Sequence, residues 1–210
     1  DILKPHAVFW PTMLKSAGLP LYEHLNVHGY WLVRDTKMSK SLGNVVEPSD
    51  MAQRFGPDAF RYFLLREMHF GSDASFSEDA LVGRINADLA NDLGNLLSRS
   101  LQMIDKFRSS KLPETYTATE LDKEIEDMAN KTVAEMTELM DRFAFDDALK
   151  VLWAFISRSN KYIDETQPWK LGKEGEVERL DAVLRTLWES LRLSAVLVAP
   201  FMPETAARIW

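Results

Sequence analysis

The chain has 210 residues, of which 46% are hydrophobic and 27% charged, and its formal net charge is −7. This length allows one large or two modest domains, and the acidic balance argues against general polyanion binding but allows one local RNA-binding patch. The sequence contains no cysteine, which excludes disulfides and thiolate zinc sites within this segment. The lack of cysteine favours a cytoplasmic location, and an organellar location is the alternative. We predict no membrane partner, because no apolar run is long enough to span a bilayer.

The first part of the chain mixes helix and strand signals. Residues 6–17 predict a helix with Pro11 in its first turn or at a kink. Residues 25–33 are rich in aromatic and β-branched side chains, which predicts a strand. Pro48 and Pro57 begin two predicted helices, the second ending near Met68, and residues 71–76 are predicted to form a loop.

From Ser77 onward the pattern is that of long helices. Ser77 predicts an N-cap, and the acidic residues that follow it lie near the positive end of the helix dipole. Apolar residues then recur at spacings of three and four and predict one broad helical stripe, namely Ile85, Leu89, Leu93, Leu96, Leu97, Leu101 and Ile104. Further helices are predicted over about 119–140, 145–162 and 178–198, and their short connections favour an antiparallel bundle.

The pentapeptide Lys37-Met38-Ser39-Lys40-Ser41, followed by Gly43 and Asn44, carries the strongest functional signal. Two ammonium groups and two hydroxyls on a short loop can follow negative charge on a polyphosphate. The loop resembles the KMSKS loop of class I aminoacyl-tRNA synthetases. The alternative interpretation is a solvated basic turn, which a shorter match would favour.

That resemblance implies an ATP site. Synthetases activate an amino acid through attack of its carboxylate on the α-phosphate of ATP, and ATP would bring Mg²⁺ with it. The resemblance gives Lys37 and Lys40 a catalytic role on the leaving pyrophosphate, Lys40 being the first choice, and has Ser39 and Ser41 bind phosphate oxygens or shape the turn.

Residues Asp1-Ile2 and His6-Ala7-Val8-Phe9-Trp10-Pro11 are similar to a segment that borders the amino-acid pocket of methionyl-tRNA synthetases. The resemblance implies that Ile2, His6 and Trp10 line a methionine pocket and that Asp1 approaches the ribose of ATP. Pro5 departs from the family, which often has an aromatic residue there. Without the resemblance, a core histidine beside a packing tryptophan would be the preferred interpretation of His6 and Trp10.

Two further histidines, His24 and His28, are four residues apart on a predicted strand rather than a helix. Ligands at this spacing share a face only on a helix, so packing or a backbone hydrogen bond is the better interpretation. We therefore predict no metal site in this segment.

Asn95-Leu96-Leu97-Ser98-Arg99 is similar to the Asn-x-x-x-Arg signature with which methionyl-tRNA synthetases read the anticodon. Asn95 and Arg99 are one helical turn apart, off the apolar stripe and on the polar side with Asp92. Trp169, after Pro168, corresponds to the family's anticodon-stacking tryptophan. The alternatives are a solvated helix face for the pair and a tryptophan that packs on the bundle.

The remaining aromatic and acidic residues have structural interpretations. Trp153 and Trp188 lie within periodic helices and are predicted to be core residues. Lys170 is predicted to touch phosphate, which does not read sequence. The acidic runs 120–126 and 174–178 are predicted to be solvated faces.

Together these signals predict a mainly α protein with a small α/β part. Residues 1–75 would be the end of a Rossmann-type catalytic domain with the KMSKS loop, and 76–210 an antiparallel anticodon-binding bundle. The implied function is that of a methionine–tRNA ligase, with the anticodon stem-loop of tRNA(Met), methionine and ATP as partners. The alternatives are another class I synthetase, for isoleucine, valine, leucine or cysteine, a noncatalytic tRNA-binding module derived from one, or a purely structural helical bundle in which the lysine loop is a coincidence.

The ends of the chain lead to one more expectation. The chain starts at Asp1 rather than methionine, and the helix predicted to begin at Pro203 has only about two turns before Trp210. We expect a piece of a longer protein, inactive alone in adenylate formation, because a His-x-Gly-His phosphate-binding signature is absent from it.

Overall fold

The computed structural model describes residues 2–113 and 116–210. The chain begins with a wide turn, Pro5–Phe9, in which the Trp10 N–H donates to the Pro5 carbonyl, and continues as helix α1, Trp10–Ser16. The wide turn precedes Pro11, which has no N–H to donate to a regular α-helical ladder. The prediction of a helix over 6–17 with Pro11 in a first turn is confirmed.

A three-stranded sheet follows, in the order β2-β1-β3. Its strands are β1 (Trp31–Val33), β2 (Thr36–Lys37) and β3 (Ala74–Phe76), with β2 antiparallel and β3 parallel to β1. The predicted strand over 25–33 was too long, because only its last three residues have a partner strand. The predicted loop over 71–76 was wrong at its end, because a three-residue strand shows no alternation that a sequence pattern can detect.

Two helices lie between β2 and β3, namely α2 (Pro48–Phe55) and α3 (Pro57–Glu67), as predicted. They close a small apolar core, called here the sheet core, whose buried members are Met51, Phe60, Phe63, Phe76 and Leu81. Trp31 and Met38 pack against the sheet core from β1 and from the KMSKS loop.

A long helical stretch starts at the predicted cap, where the Ser77 hydroxyl accepts from the Ala80 N–H at 3.1 Å. It comprises α4 (Glu78–Arg84), a wide i→i+5 segment (Ile85–Gly94) and α5 (Asn95–Arg108). Leu93, Leu96 and Ile104 of the predicted stripe are buried. Leu101 is 42% exposed, so the stripe is narrower than predicted at its C-terminal end.

The remaining helices form a bundle with α5. They are α6 (Glu120–Asp141), α7 (Phe145–Thr166), α8 (Pro168–Glu174), α9 (Val177–Val198) and α10 (Pro203–Ile209). α6, α7 and α9 pack on one another, and α5 packs against α7 and α9. The four long helices were predicted within a few residues, whereas the short α8 was not predicted.

The bundle core confirms one tryptophan prediction fully and one in part. Trp153 is buried and donates its indole N–H to the Asp88 carbonyl at 3.1 Å, whereas Trp188 is half-buried and packs on the edge of this core.

The acidic run 120–126 is not wholly solvated as predicted, because Asp122 is buried and paired with Arg179.

The prediction of a mainly α protein with a small α/β part is confirmed. Along the described residues, none of the helices combines the length and the apolar character needed to cross a membrane.

Candidate functional site

The KMSKS loop, Lys37–Ser41, is held in shape by Asn44. The Asn44 side-chain oxygen accepts from the Ser39 N–H at 2.8 Å, and its amide donates to the Lys37 carbonyl at 3.3 Å. Residues Lys40–Leu42 form one tight turn that ends at Gly43, whose φ of 64° suits glycine. Asn44 therefore closes the loop that carries both lysines.

The role of Asn44 was missed in the sequence, although its residue type and position gave a signal. Asparagine often bonds to nearby backbone and stabilises turns, and Asn44 directly follows the glycine.

Met38 fixes the other side of the loop, because it is half-buried against the sheet core. Of the predicted phosphate-binding residues, Lys37, Lys40 and Ser41 are exposed, and Ser39 is half-buried. The hydroxyls of Ser39 and Ser41 lie 2.8 Å apart.

The two loop lysines are not among the lysines that form ion pairs within the described residues. Among the described residues, Lys123, Lys150 and Lys161 are the lysines that pair with carboxylates. The Lys37 ammonium instead lies over the Tyr30 ring, 4.6 Å from its centroid. The charges of the KMSKS loop are thus not neutralised by a described carboxylate, as a polyphosphate site requires.

An open groove of about 430 Å³ lies beside the loop and is lined in part by Ile2, His6 and Tyr30. The His6 ring nitrogen Nδ1 is 2.8 Å from the Ile2 carbonyl oxygen, and the Tyr22 hydroxyl donates to the His6 carbonyl at 2.7 Å. The structure therefore brings together two of the three predicted methionine-binding residues.

The third residue of that set is separate from the groove. Trp10 lies one helical turn after His6, is 49% exposed and does not line the groove. Both side chains are exposed among the described residues. Asp1, predicted to approach the ribose, lies outside the described residues.

The structure places His28 and His69 in different surroundings. The His28 Nδ1 atom is 2.7 Å from the Gly29 carbonyl oxygen, a local backbone contact of the kind predicted, and His24 is exposed. A different cluster within the described residues, His69 with Asp146 and Asp147, has ligand atoms within 4.8 Å of one another. The Lys150 ammonium already lies 2.8 Å from Asp146 and 2.6 Å from Asp147, where a metal ion would sit.

The predicted anticodon-reading residues lie at the start of α5 and in the first turn of α8. The Arg99 guanidinium carbon is 6.0 Å from the centroid of the Trp169 ring, and Trp169 is 37% exposed. Asn95 is exposed one turn before Arg99. The structure thus places a planar cation beside an accessible indole.

Contacts with α7 orient this surface. The Arg99 guanidinium pairs with the Asp164 carboxylate at 2.5 Å. The wide segment before Asn95 is fixed to α7 through the side chain and the backbone carbonyl of Asp92. These accept from the Ser157 hydroxyl at 3.1 Å and from the Asn160 amide at 2.9 Å. Asp164 is 65 residues from Arg99 in the chain, so sequence pattern gave no signal for this ion pair.

Two protein families match different parts of the chain. Residues 1–101 match the family described as tRNA synthetases class I (M), and residues 122–210 match the anticodon-binding domain of tRNA ligase.

Individual relatives agree with these matches. The chain is 49% identical to the methionine–tRNA ligase of Fusobacterium nucleatum subsp. nucleatum and 47% identical to that of Caldanaerobacter subterraneus subsp. tengcongensis. All of this chain aligns in each case, with 33% of the relative. The chain thus spans about a third of the length of these curated relatives.

A solved structure of Mycobacterium tuberculosis methionyl-tRNA synthetase bound by methionyl-adenylate superposes with a TM-score of 0.93 at 40% identity, over 100% of this chain and 42% of that one. The apo form of the same enzyme superposes with a TM-score of 0.89 at 37% identity, over 100% of this chain and 41% of that one.

Proposed function

This chain belongs to the class I tRNA synthetases of the methionyl type, and on that premise we propose that it supplies the KMSKS loop and the anticodon-reading surface of a methionine–tRNA ligase. The parent reaction is ATP-dependent activation of methionine and its transfer to tRNA(Met). The cytoplasm is its proposed compartment.

The observation that carries the proposal is the placement of Arg99 beside Trp169 on an exposed face, 6.0 Å from guanidinium carbon to ring centroid. Single-stranded anticodon bases can stack on an indole and be read at their edges by a forked guanidinium and a planar amide. Asn95, one turn away, offers that amide. This surface therefore supports recognition of an anticodon loop of tRNA(Met).

The KMSKS loop supports the activation step. The methionine carboxylate attacks the α-phosphorus of ATP, a new carboxyl–phosphate bond forms, and the bond to the bridging oxygen breaks with release of pyrophosphate. Mg²⁺ enters with ATP and offsets part of the phosphate charge. Lys40 and Lys37 stabilise the charge on the leaving pyrophosphate, and Ser39 and Ser41 bind phosphate oxygens.

The groove beside the loop supports a methionine site. Ile2 and His6 line it, and a thioether favours such apolar and soft polar surroundings. Trp10 is assigned to the same site by resemblance to the family, and Asp1 to the ribose of ATP.

The test is binding of the anticodon stem-loop of tRNA(Met) to this chain, with CAU exchanged for a noncognate triplet at fixed salt. We expect the exchange to weaken binding, and Trp169→Ala and Arg99→Ala each to cost about 1–3 kcal/mol on the cognate loop. Arg185→Ala is the matched control, because the Arg185 side chain is 34% exposed and ion-paired, as Arg99 is.

Weak binding that is indifferent to the triplet, with both substitutions silent, would contradict the proposal. The alternative of a synthetase for isoleucine, valine, leucine or cysteine has no support in the relatives named above. The alternative of a noncatalytic tRNA-binding module requires a separate measurement. Methionine-dependent pyrophosphate exchange by a full-length chain would exclude it, and we expect no such exchange from residues 1–210 alone.

A further inference from the structure

Tyr30 lies where the open groove meets the KMSKS loop. Its side chain lines the groove together with Ile2 and His6. The face of the same ring carries the Lys37 ammonium, 4.6 Å from the centroid. One aromatic side chain thus contacts both parts of the proposed activation site.

The backbone of Tyr30 is fixed from the side of β3. Its N–H donates to the Asp73 carboxylate at 2.7 Å, and its carbonyl accepts from the Ala74 N–H at 2.9 Å. The preceding Gly29 lies so close to the Ser72 backbone that a Cβ there would be 2.0 Å from the Ser72 carbonyl oxygen. The ring of Tyr30 therefore starts from a well-defined backbone position.

An aromatic ring holds a lysine differently from a carboxylate. The ring attracts the ammonium through its quadrupole but brings no negative charge to neutralise it. A carboxylate, as found beside Lys123 and Lys150, would offer oxygens that compete with phosphate. Tyr30 can thus restrict the rotamers of Lys37 and leave its charge available to an incoming anion.

We propose that Tyr30 is a positioning residue that holds Lys37 at the rim of the groove, ready for the polyphosphate of a nucleoside triphosphate. The proposal rests on the proposed function, in which Lys37 binds phosphate. Because the ring pre-orients the ammonium, its removal increases the entropy that Lys37 loses on binding and weakens polyphosphate affinity.

The contact itself is tested by NMR on the ligand-free chain. When an ammonium lies over the face of an aromatic ring, the ring current shifts the proton resonances of the neighbouring methylene group upfield. We expect the Lys37 Hε resonances to be shifted upfield in the native chain and in Tyr30→Phe, and to return to ordinary lysine positions in Tyr30→Leu. Ordinary Lys37 positions in the native chain would overturn the proposal.

The consequence is tested by titrating the same three chains with inorganic tripolyphosphate at fixed salt. Tyr30→Leu should weaken binding about two- to fivefold, the value of an exposed cation–π contact, and Tyr30→Phe should restore it. Phe9→Leu is the matched control: it removes another exposed contact of this type, in which Lys4 Nζ lies 5.5 Å from the Phe9 centroid, and it should leave binding unchanged.

A Lys37→Gln variant separates the proposed positioning role of Tyr30 from the proposed phosphate-binding role of Lys37. If Lys37→Gln weakens binding and Tyr30→Leu does not, or strengthens it, the positioning role is wrong and the function of the loop stands. If Lys37→Gln has no effect, the phosphate role of Lys37 fails and the positioning role fails with it. Native amide spectra of each variant exclude misfolding as the cause.

Discussion

The carboxylate of Asp122 is the most heavily bonded acidic group in the bundle core. It accepts from Arg179 at 2.5 Å, from the Thr119 N–H at 2.7 Å and from the Tyr162 hydroxyl. Burial alone raises the pKa of the Asp122 carboxyl, but these hydrogen bonds outweigh burial and leave the pKa below its ordinary value of 3.8. The charged form is therefore the one that the folded chain stabilises.

This depressed pKa predicts acid sensitivity. The contribution of Asp122 to the free energy of unfolding is present above pH 3.8 and is lost as pH falls through the lower pKa of the folded state. Urea unfolding from about pH 5 to about pH 2 should show this loss. Asp122→Asn should flatten the pH dependence, while Glu126→Gln, at an exposed residue of the same helix, should not. An unchanged slope in Asp122→Asn would contradict the assignment.

Helix α3 is the element that joins the sheet core to the bundle. The Asp58 carboxylate accepts from the Thr205 N–H at 2.6 Å and so caps α10 from another helix. Arg61 donates to the Phe201 and Pro200 carbonyls, both at 3.0 Å, just after α9 ends. One short helix thus satisfies backbone groups on both sides of the α9–α10 turn.

Removal of this cap should loosen α10 locally. Asp58→Ala should cost about 1 kcal/mol, the usual value of an N-cap, and speed amide hydrogen exchange in Pro203–Ile209. Asp79→Ala, at an exposed acidic residue in the first turn of α4, is the control and should leave that exchange unchanged. Equal exchange in Asp58→Ala and the native chain would show that α10 does not depend on α3.

The elements differ in how far sequence alone predicts them. The long helices were predicted because their apolar residues recur at helical spacing over many positions. The strand over 25–33 was overestimated because propensity is local, whereas pairing needs β3, about forty residues later in the chain. Asp122 was predicted to be solvated because its partner Arg179 is 57 residues away. In the candidate site, the sequence indicated the lysines and Trp169. It did not indicate the contact between Tyr30 and Lys37 or the ion pair between Asp164 and Arg99.

At the scale of the whole molecule, two apolar cores share one helix. Phe60 and Phe63 of α3 are buried in the sheet core, while Tyr62 is fully buried in the bundle core. The Tyr62 ring is 4.5 Å from that of Trp153, and its hydroxyl donates to Asp88 at 2.6 Å. The predicted division at residues 75 and 76 stays a prediction, but it would separate α3 from the bundle that α3 packs on.

This sharing predicts the outcome of truncation. Residues 76–210 alone would expose Trp153 and leave Asp88 without the Tyr62 hydroxyl, so we expect them to be less stable than residues 46–210 by about 3 kcal/mol or more. The longer piece is the matched control, because it lacks the KMSKS loop and keeps α3. Urea unfolding followed by circular dichroism measures the difference. Equal midpoints would mean that the bundle is stable without α3, and that the functional division at residue 76 is also a division of the fold.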